Sequence, residues 1–460
     1  MSGPMALEPG GTEQETLALR LARPADHTLS LRLPGHGHDD EEVSRLAADL
    51  ADRIGPAVHP YEVAALLEAE GLTAELIKER YGHPNLFSLA TALYEQVPRT
   101  FPEPAPAADP WRPDHVRCLL RGVLFALPGL AYLLTAPLWH PGRHAAALVV
   151  AGLVSWSWGQ GLGHRAHLRR ATGPREAGRT LLAGAPLGAV LATAAASPLA
   201  GGGPVLLATA AQSLYLAAAG VLLVLARERL LLAALAPLVA GAAALPWWHP
   251  GPLPRAGLAL LALLATLAVT AYALRGTLAA PAVPEGARPA LLWSLPYGLF
   301  GLAAGLLVLL EGRREPYAVI VLTVSMGPAE WLLYRYRGLS VAALRASATP
   351  GGFLLRSAAV LALCLSVYLL PLWPAAYLTG AAPAPLLLLA ATLWTALLLQ
   401  AFGAAWPPAA ICLAAAGTAA AGTLLRPPAG PALLPLGCAA ALCCLVACAL
   451  RLLGRPARHA

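Results

Sequence analysis

From Cys118 to Leu450 the chain is a succession of about twelve apolar runs, each near the twenty residues that carry a helix across the hydrocarbon core of a bilayer. That pattern fixes the fold class before any motif is considered: a polytopic all-α membrane protein of about twelve transmembrane helices. The first six spans are expected at 118–138, 144–163, 180–198, 204–225, 229–248 and 256–274. The second six are expected at 289–310, 317–334, 357–379, 383–403, 407–424 and 431–450. The composition agrees, with 57% hydrophobic and 12% charged residues and a mean hydropathy of +0.61.

Charge is divided unevenly along the chain. Residues 1–115 carry 19 acidic and 9 basic side chains, and residues 116–460 carry 6 and 23, so the net +7 describes neither part. The arginines of the second part stand in short loops between spans. With the amino terminus placed in the cytoplasm, and Arg112 counted with them, 19 fall on the inner side and five on the outer, the positive-inside bias. Both termini are therefore expected to be cytoplasmic and the protein to lie in the cytoplasmic membrane, with the lipid bilayer as its first partner. The same distribution removes nucleic acid as the reason for the basic surplus. The first 20 residues are polar, so the first span is expected to act as the insertion signal.

The amino-terminal part reads as a different kind of structure. Residues 1–36 are expected to form a tail and 37–97 a small cytoplasmic helical domain able to bind a protein partner, followed by a proline-rich linker over 98–116. Val43, Leu46, Leu50 and Ile54 fall on one helical face, Pro60 opens a helix, and Thr73 and Asn85 are placed to cap two more. Beyond the linker come a first transmembrane half (117–274), a cytoplasmic connecting loop (275–288), a second half (289–453) and a tail (454–460).

The division into halves rests on an internal repeat. Leu124-Phe125-Ala126-Leu127-Pro128-Gly129-Leu130 reappears as Leu292-Trp293-Ser294-Leu295-Pro296-Tyr297-Gly298-Leu299. Val154-Ser155 with Gln160 and Arg165 is matched by Val324-Ser325 with Glu330 and Arg335. The longest inner loops of the membrane part, 164–179 and 335–356, follow the second and eighth spans, equivalent places in the two halves. Repeated halves are a common plan of secondary transporters, with the substrate path between them.

Candidate functional residues follow from the cost of polarity in lipid. Glu330, after Gly327-Pro328, is the one carboxylate expected within or near a span, and Gln160 is its repeat partner. Both are candidates for a central cavity, with Arg121, whose guanidinium suits a substrate phosphate, and the mid-span amides Gln212 and Gln400. Interfacial snorkelling and helix–helix hydrogen bonding are the plainer readings of these residues. Arg165 and Arg335 are candidates for a cytoplasmic gate; Pro128, Pro296, Gly327 and Pro328 are candidate hinges. His36-Gly37-His38-Asp39 lacks a third fixed ligand, and the seven cysteines have no metal-ligand spacing, so no metal and no cofactor is expected. A phosphate-cradling nucleotide loop is likewise missing from the sequence, which argues against an ATP-driven pump.

Val154-Ser155-Trp156-Ser157-Trp158-Gly159-Gln160-Gly161-Leu162-Gly163, followed by Gly173-Pro174-Arg175-Glu176-Ala177-Gly178-Arg179, resembles the multidrug/oligosaccharidyl-lipid/polysaccharide exporter superfamily. There a span ending in small and polar residues precedes a short basic segment, and proline stands in the first span of each half. The resemblance covers about 118–450. Pro174 replaces an acid common in the family, and 118–163 has neither Asp nor Glu, unlike the cation-coupled drug exporters. The resemblance therefore implies a flippase-like exporter of a lipid-linked saccharide or related cell-envelope precursor, a transporter rather than an enzyme. A non-transporting scaffold whose amino-terminal helices recruit an envelope or division partner is a second reading, and a membrane-embedded glycosyltransferase or ligase a third.

Overall fold

The computed structural model describes residues 39–98, 114–138, 140–282, 289–347, 349–425 and 430–455. The tail over 1–36 and its histidines, most of the 98–116 linker, the last six residues of the 275–288 loop and the last five residues of the chain lie outside them. The chain falls into two compact units, divided between Pro110 and Trp111.

The first unit is a set of short helices whose ends are set by local chemistry. They are α1 (Asp39–Asp49), α2 (Ala51–Ile54), α3 (Pro60–Ala69), α4 (Ala74–Tyr81) and α5 (Leu86–Gln96). The Thr73 hydroxyl accepts from Leu76 N, and Gly82, at φ +67°, ends α4 in the left-handed conformation. Asn85 and Ser88 cap α5 reciprocally. Val43, Ile54, Val63, Leu67, Ile77, Leu89 and Leu93 form its small core.

The second unit is a bundle of helices. In order they are α6 (His115–Ala126), α7 (Gly129–Thr135), α8 (Pro141–Arg170), α9 (Pro174–Ala196), α10 (Gly203–Val224), α11 (Glu228–Ala234), α12 (Ala236–Ala244) and α13 (Pro252–Leu278). The second half continues with α14 (Leu295–Gly312), α15 (Pro316–Val324), α16 (Met326–Arg345), α17 (Pro350–Thr379), α18 (Pro383–Ala401), α19 (Trp406–Leu425) and α20 (Gly430–Leu453). Leucines such as Leu261, Leu355 and Leu370 stand exposed at 53%, 73% and 75%, which makes sense only with lipid as the solvent. Inside the second half, Leu307, Tyr336, Tyr368, Trp394, Cys412 and Cys438 belong to one continuous core.

The expected twelve spans need correction. Among the described residues, ten helical segments are long and apolar enough to cross, and the pair α15 and α16, bent by 43°, makes an eleventh if taken as one span. The remaining expected span, 229–248, is broken into α11 and α12 at Leu235. Pro237, in the first turn of α12, has no amide hydrogen to continue the hydrogen bonding of α11, and charge at Glu228 and Arg229 takes up the start of the run. Most crossings also run longer than expected: the second continues to Arg170 and the sixth covers 252–278.

The two repeat prolines behave differently. Pro128 separates α6 from α7 within one crossing. Pro296 stands in the first turn of α14, where its missing donor costs nothing, and does not lie inside the helix as its repeat partner suggested.

Candidate functional site

The segments before and after residues 283–288 meet chiefly through two helix contacts, beside a smaller one of α6 on α15. α6 packs on α16, and α8 packs on α14. Each contact joins the first crossing of one half to the second crossing of the other. Both are built on glycine. A Cβ on Gly122 of α6 would lie 3.1 Å from the backbone of Gly327, and one on Gly327 would lie 2.8 Å from the Cys118 carbonyl. In the other contact, a Cβ on Gly298 would lie 3.3 Å from the Ser157 carbonyl, and one on Gly301 would strike Gln160 at 2.8 Å. Backbones this close leave room only for hydrogen at the contact.

The α6–α16 contact carries a charge cluster. Arg121 donates from Nε to Glu228 Oε1 at 2.9 Å and from Nη1 to Glu330 Oε1 at 2.5 Å. Arg117, one turn earlier, donates to the same Glu228 oxygen at 2.8 Å. Two guanidiniums and two carboxylates make a neutral quartet, which a low-dielectric site tolerates far better than a lone charge. The Glu228 side chain is 6% exposed, while those of Arg121 and Glu330 are each 21% exposed. The cluster lies at the end of the bundle where the arginine-rich loops gather, and it ties α6 and α11 of the first half to α16 of the second.

A tight turn delivers Glu228. Between α10 and α11, Ala226 sits at φ +59°, a left-handed conformation that costs a residue bearing a Cβ about 1–2 kcal/mol. Arg227 N bonds back to Leu222 O at 2.8 Å and Arg121 Nη2 reaches Leu223 O at 3.4 Å, so the guanidinium also satisfies a carbonyl at the end of α10.

The α8–α14 contact is aromatic and polar instead of ionic. The His164 ring stacks on Tyr297 with centroids 3.7 Å apart and planes 14° apart, and His164 Nδ1 is hydrogen-bonded to Ser294 Oγ at 3.1 Å. Ser157 Oγ donates to Gly298 O at 2.8 Å, and Arg165 Nη1 to Pro289 O at 3.2 Å. Five side chains of this contact thus close the second seam between the halves at the same end.

Of the residues singled out from sequence, Arg121 and Glu330 come together directly, and Gln160 and Arg165 lie together in the other contact. Gln212 donates to Leu148 O at 3.0 Å, holding α10 to α8, and Gln400 is buried in α18 away from both contacts. Arg335 lies 5.7 Å above the ring of Trp331 on its own helix. Gly327 and Pro328 open α16 immediately after the bend. The expectation that Glu330 is the only carboxylate in or near a span is corrected: Glu228 and Glu311 are both buried, at 5% and 2% exposure. Glu228 escaped because Arg227 and Arg229 flank it, so the triplet reads as a loop; Glu311 escaped because Arg313 and Arg314 follow it. His164 and Tyr297 gave no sequence signal, since their pairing depends on how two distant helices meet.

Fold and contacts together define a polytopic α-helical membrane protein. No protein-family model and no curated protein matches the chain. Among solved structures, the crystal structure of a point mutant of MATE matches at 13% identity over 74% of this chain and 96% of that one, with a TM-score of 0.40. So loose a likeness assigns no family.

Proposed function

We propose that the chain is a flippase-like exporter that moves a lipid-linked saccharide or related cell-envelope precursor across the cytoplasmic membrane by alternating access. The observation that carries this reading is the quartet of Arg117, Arg121, Glu228 and Glu330 across the two halves. A structural ion pair would serve as well within one half; here Arg121, held by Glu228 of its own half, also pairs with Glu330 across the line along which two halves must part. Guanidinium forks bind phosphate as readily as carboxylate, so a phosphate-bearing lipid headgroup entering at the arginine-rich end competes with Glu330 for Arg121. Exchange of one anion for another keeps Arg121 compensated and frees Glu330, whose side chain is 21% exposed, to turn to water. The arginine bias makes this end cytoplasmic, the side on which such precursors are assembled.

The test is to hold the seam shut. In a chain lacking its native cysteines, His164→Cys with Ser294→Cys places two thiols across the α8–α14 contact and leaves the quartet intact. A short reversible dithiol reagent should stop transport of a labelled lipid-linked saccharide in vesicles, and reduction should restore it. Undiminished transport with the crosslink in place would exclude alternating access at this seam; absence of transport in the wild-type protein would favour the scaffold.

A further inference from the structure

Glu311 stands in the last turn of α14, at the end of the bundle opposite the quartet, and is 2% exposed. The other buried or half-buried acids in crossing segments have cationic partners: Glu176, Glu228 and Glu330 each hold an arginine at 2.5–2.9 Å. For the Glu311 carboxylate no side-chain hydrogen bond or ion pair occurs among the described residues. Helices α8, α15, α18, α19 and α20 pack on α14. The ionisable groups whose charge reaches Glu311 are Arg314 and Glu315, in the turn that follows it, and the Cys438 thiol on α20. At this end α8 carries Arg143 and His144 in its first turn and α15 carries Tyr317 after Pro316, while α18 has no ionisable side chain and α19 has the Cys412 thiol.

A buried carboxylate at the end of a crossing, acted on by Arg314 but held by no hydrogen bond or ion pair among the described residues, is costly as an anion and marks a site where something binds. A metal ion would ask for several oxygen ligands, and among the described residues no group of three His, Cys, Asp or Glu side chains is gathered there or elsewhere. A proton asks for nothing but the carboxylate. We propose that Glu311 is a proton-binding site, taking a proton onto its carboxylate from the solution at this end and returning it there. The same helix connects it to the seam: α14 ends at Glu311 and Gly312, and its first turns carry Tyr297 and Gly298 against α8. Proton occupancy thus biases the packing of α14, and with it the opening of the halves; this last step rests on the exporter reading, while the proton site does not.

Dicyclohexylcarbodiimide, an apolar reagent that adds to protonated carboxyls, tests the site in native membranes containing the full chain. Peptide mapping should find the adduct on Glu311 and not on the ion-paired Glu228 and Glu330, and the adduct should disappear in Glu311→Gln. Absence of an adduct on Glu311 at every pH from acid to alkaline would overturn the proposal. So would protection by sodium at constant pH, which would indicate a metal-ion site. In vesicles, export by Glu311→Gln should lose its dependence on the pH of the solution at this end at unchanged protein level. Retention of that dependence, with the adduct on Glu311 still found in the wild type, would overturn the link to transport and leave the proton site standing.

Discussion

Glu228 and Glu330 share Arg121, yet they are not equivalent. Glu228 accepts from two arginines and is nearly inaccessible, while Glu330 accepts from one and retains some access to water. Removing one member of a buried ion pair costs about 3–5 kcal/mol, because the partner keeps an uncompensated charge, whereas exposed pairs contribute about 0–1 kcal/mol. Glu228→Gln should therefore lower stability by several kcal/mol and reduce the amount of protein in the membrane. Glu330→Gln should cost about 1 kcal/mol, leave protein levels normal and impair export, since the amide cannot compete with phosphate as a carboxylate does. Thermal unfolding in detergent beside vesicle transport separates the two; equal losses of stability would contradict the assignment of Glu228 as the anchor. Half of this cluster was legible in the sequence. Arg121 and Glu330 stood out because charge in an apolar run is costly whatever surrounds it. Glu228 did not, because only the turn at Ala226 turns a loop-like triplet into a buried carboxylate.

At the scale of elements, glycine decides how closely the halves approach. Gly327 and Gly159 lie in the two crossings that the repeat equates, but their surroundings differ. A methyl on Gly327 meets the Cys118 carbonyl at 2.8 Å, while one on Gly159 meets nothing within 4 Å. Helix propensity alone favours Ala over Gly by about 1 kcal/mol at either place. Gly159→Ala should thus be neutral or stabilising in a thermal melt. Gly327→Ala should be destabilising by about 1–3 kcal/mol, the usual cost of overpacking, and should pull Arg121 from Glu330. Identical melting temperatures for the two variants would show that α6 and α16 are not in fixed contact. Sequence periodicity located nearly every crossing but could not show these seams. Glycines are scattered through the whole chain, and only the pairing of α6 with α16 and α8 with α14 selects the few that matter. The break at Leu235 was hidden for a related reason: hydropathy counts apolar residues and is blind to a proline that interrupts their hydrogen bonding.

At the scale of the whole molecule, two solvents shape two units. The second unit exposes individual leucines by more than half in places, and the first buries Leu67, Leu89 and Leu93 in a core of its own. The signals that place the second unit in a bilayer, apolar crossings flanked by arginine, all lie beyond residue 111. Insertion should therefore not depend on the first unit. A chain lacking residues 1–100 should enter the membrane to the same extent as the full protein, measured as resistance to extraction by alkaline carbonate. Reporter fusions after residue 110 and at Ala460 should both give a cytoplasmic signal in either chain, an outcome that requires the arginine-rich loops to set the orientation and α11 with α12 to serve as one more crossing. An external signal from the Ala460 fusion would mean that α11 and α12 form a re-entrant hairpin rather than a crossing. The number of crossings would then be odd, and the quartet around Glu228 would have to be placed afresh.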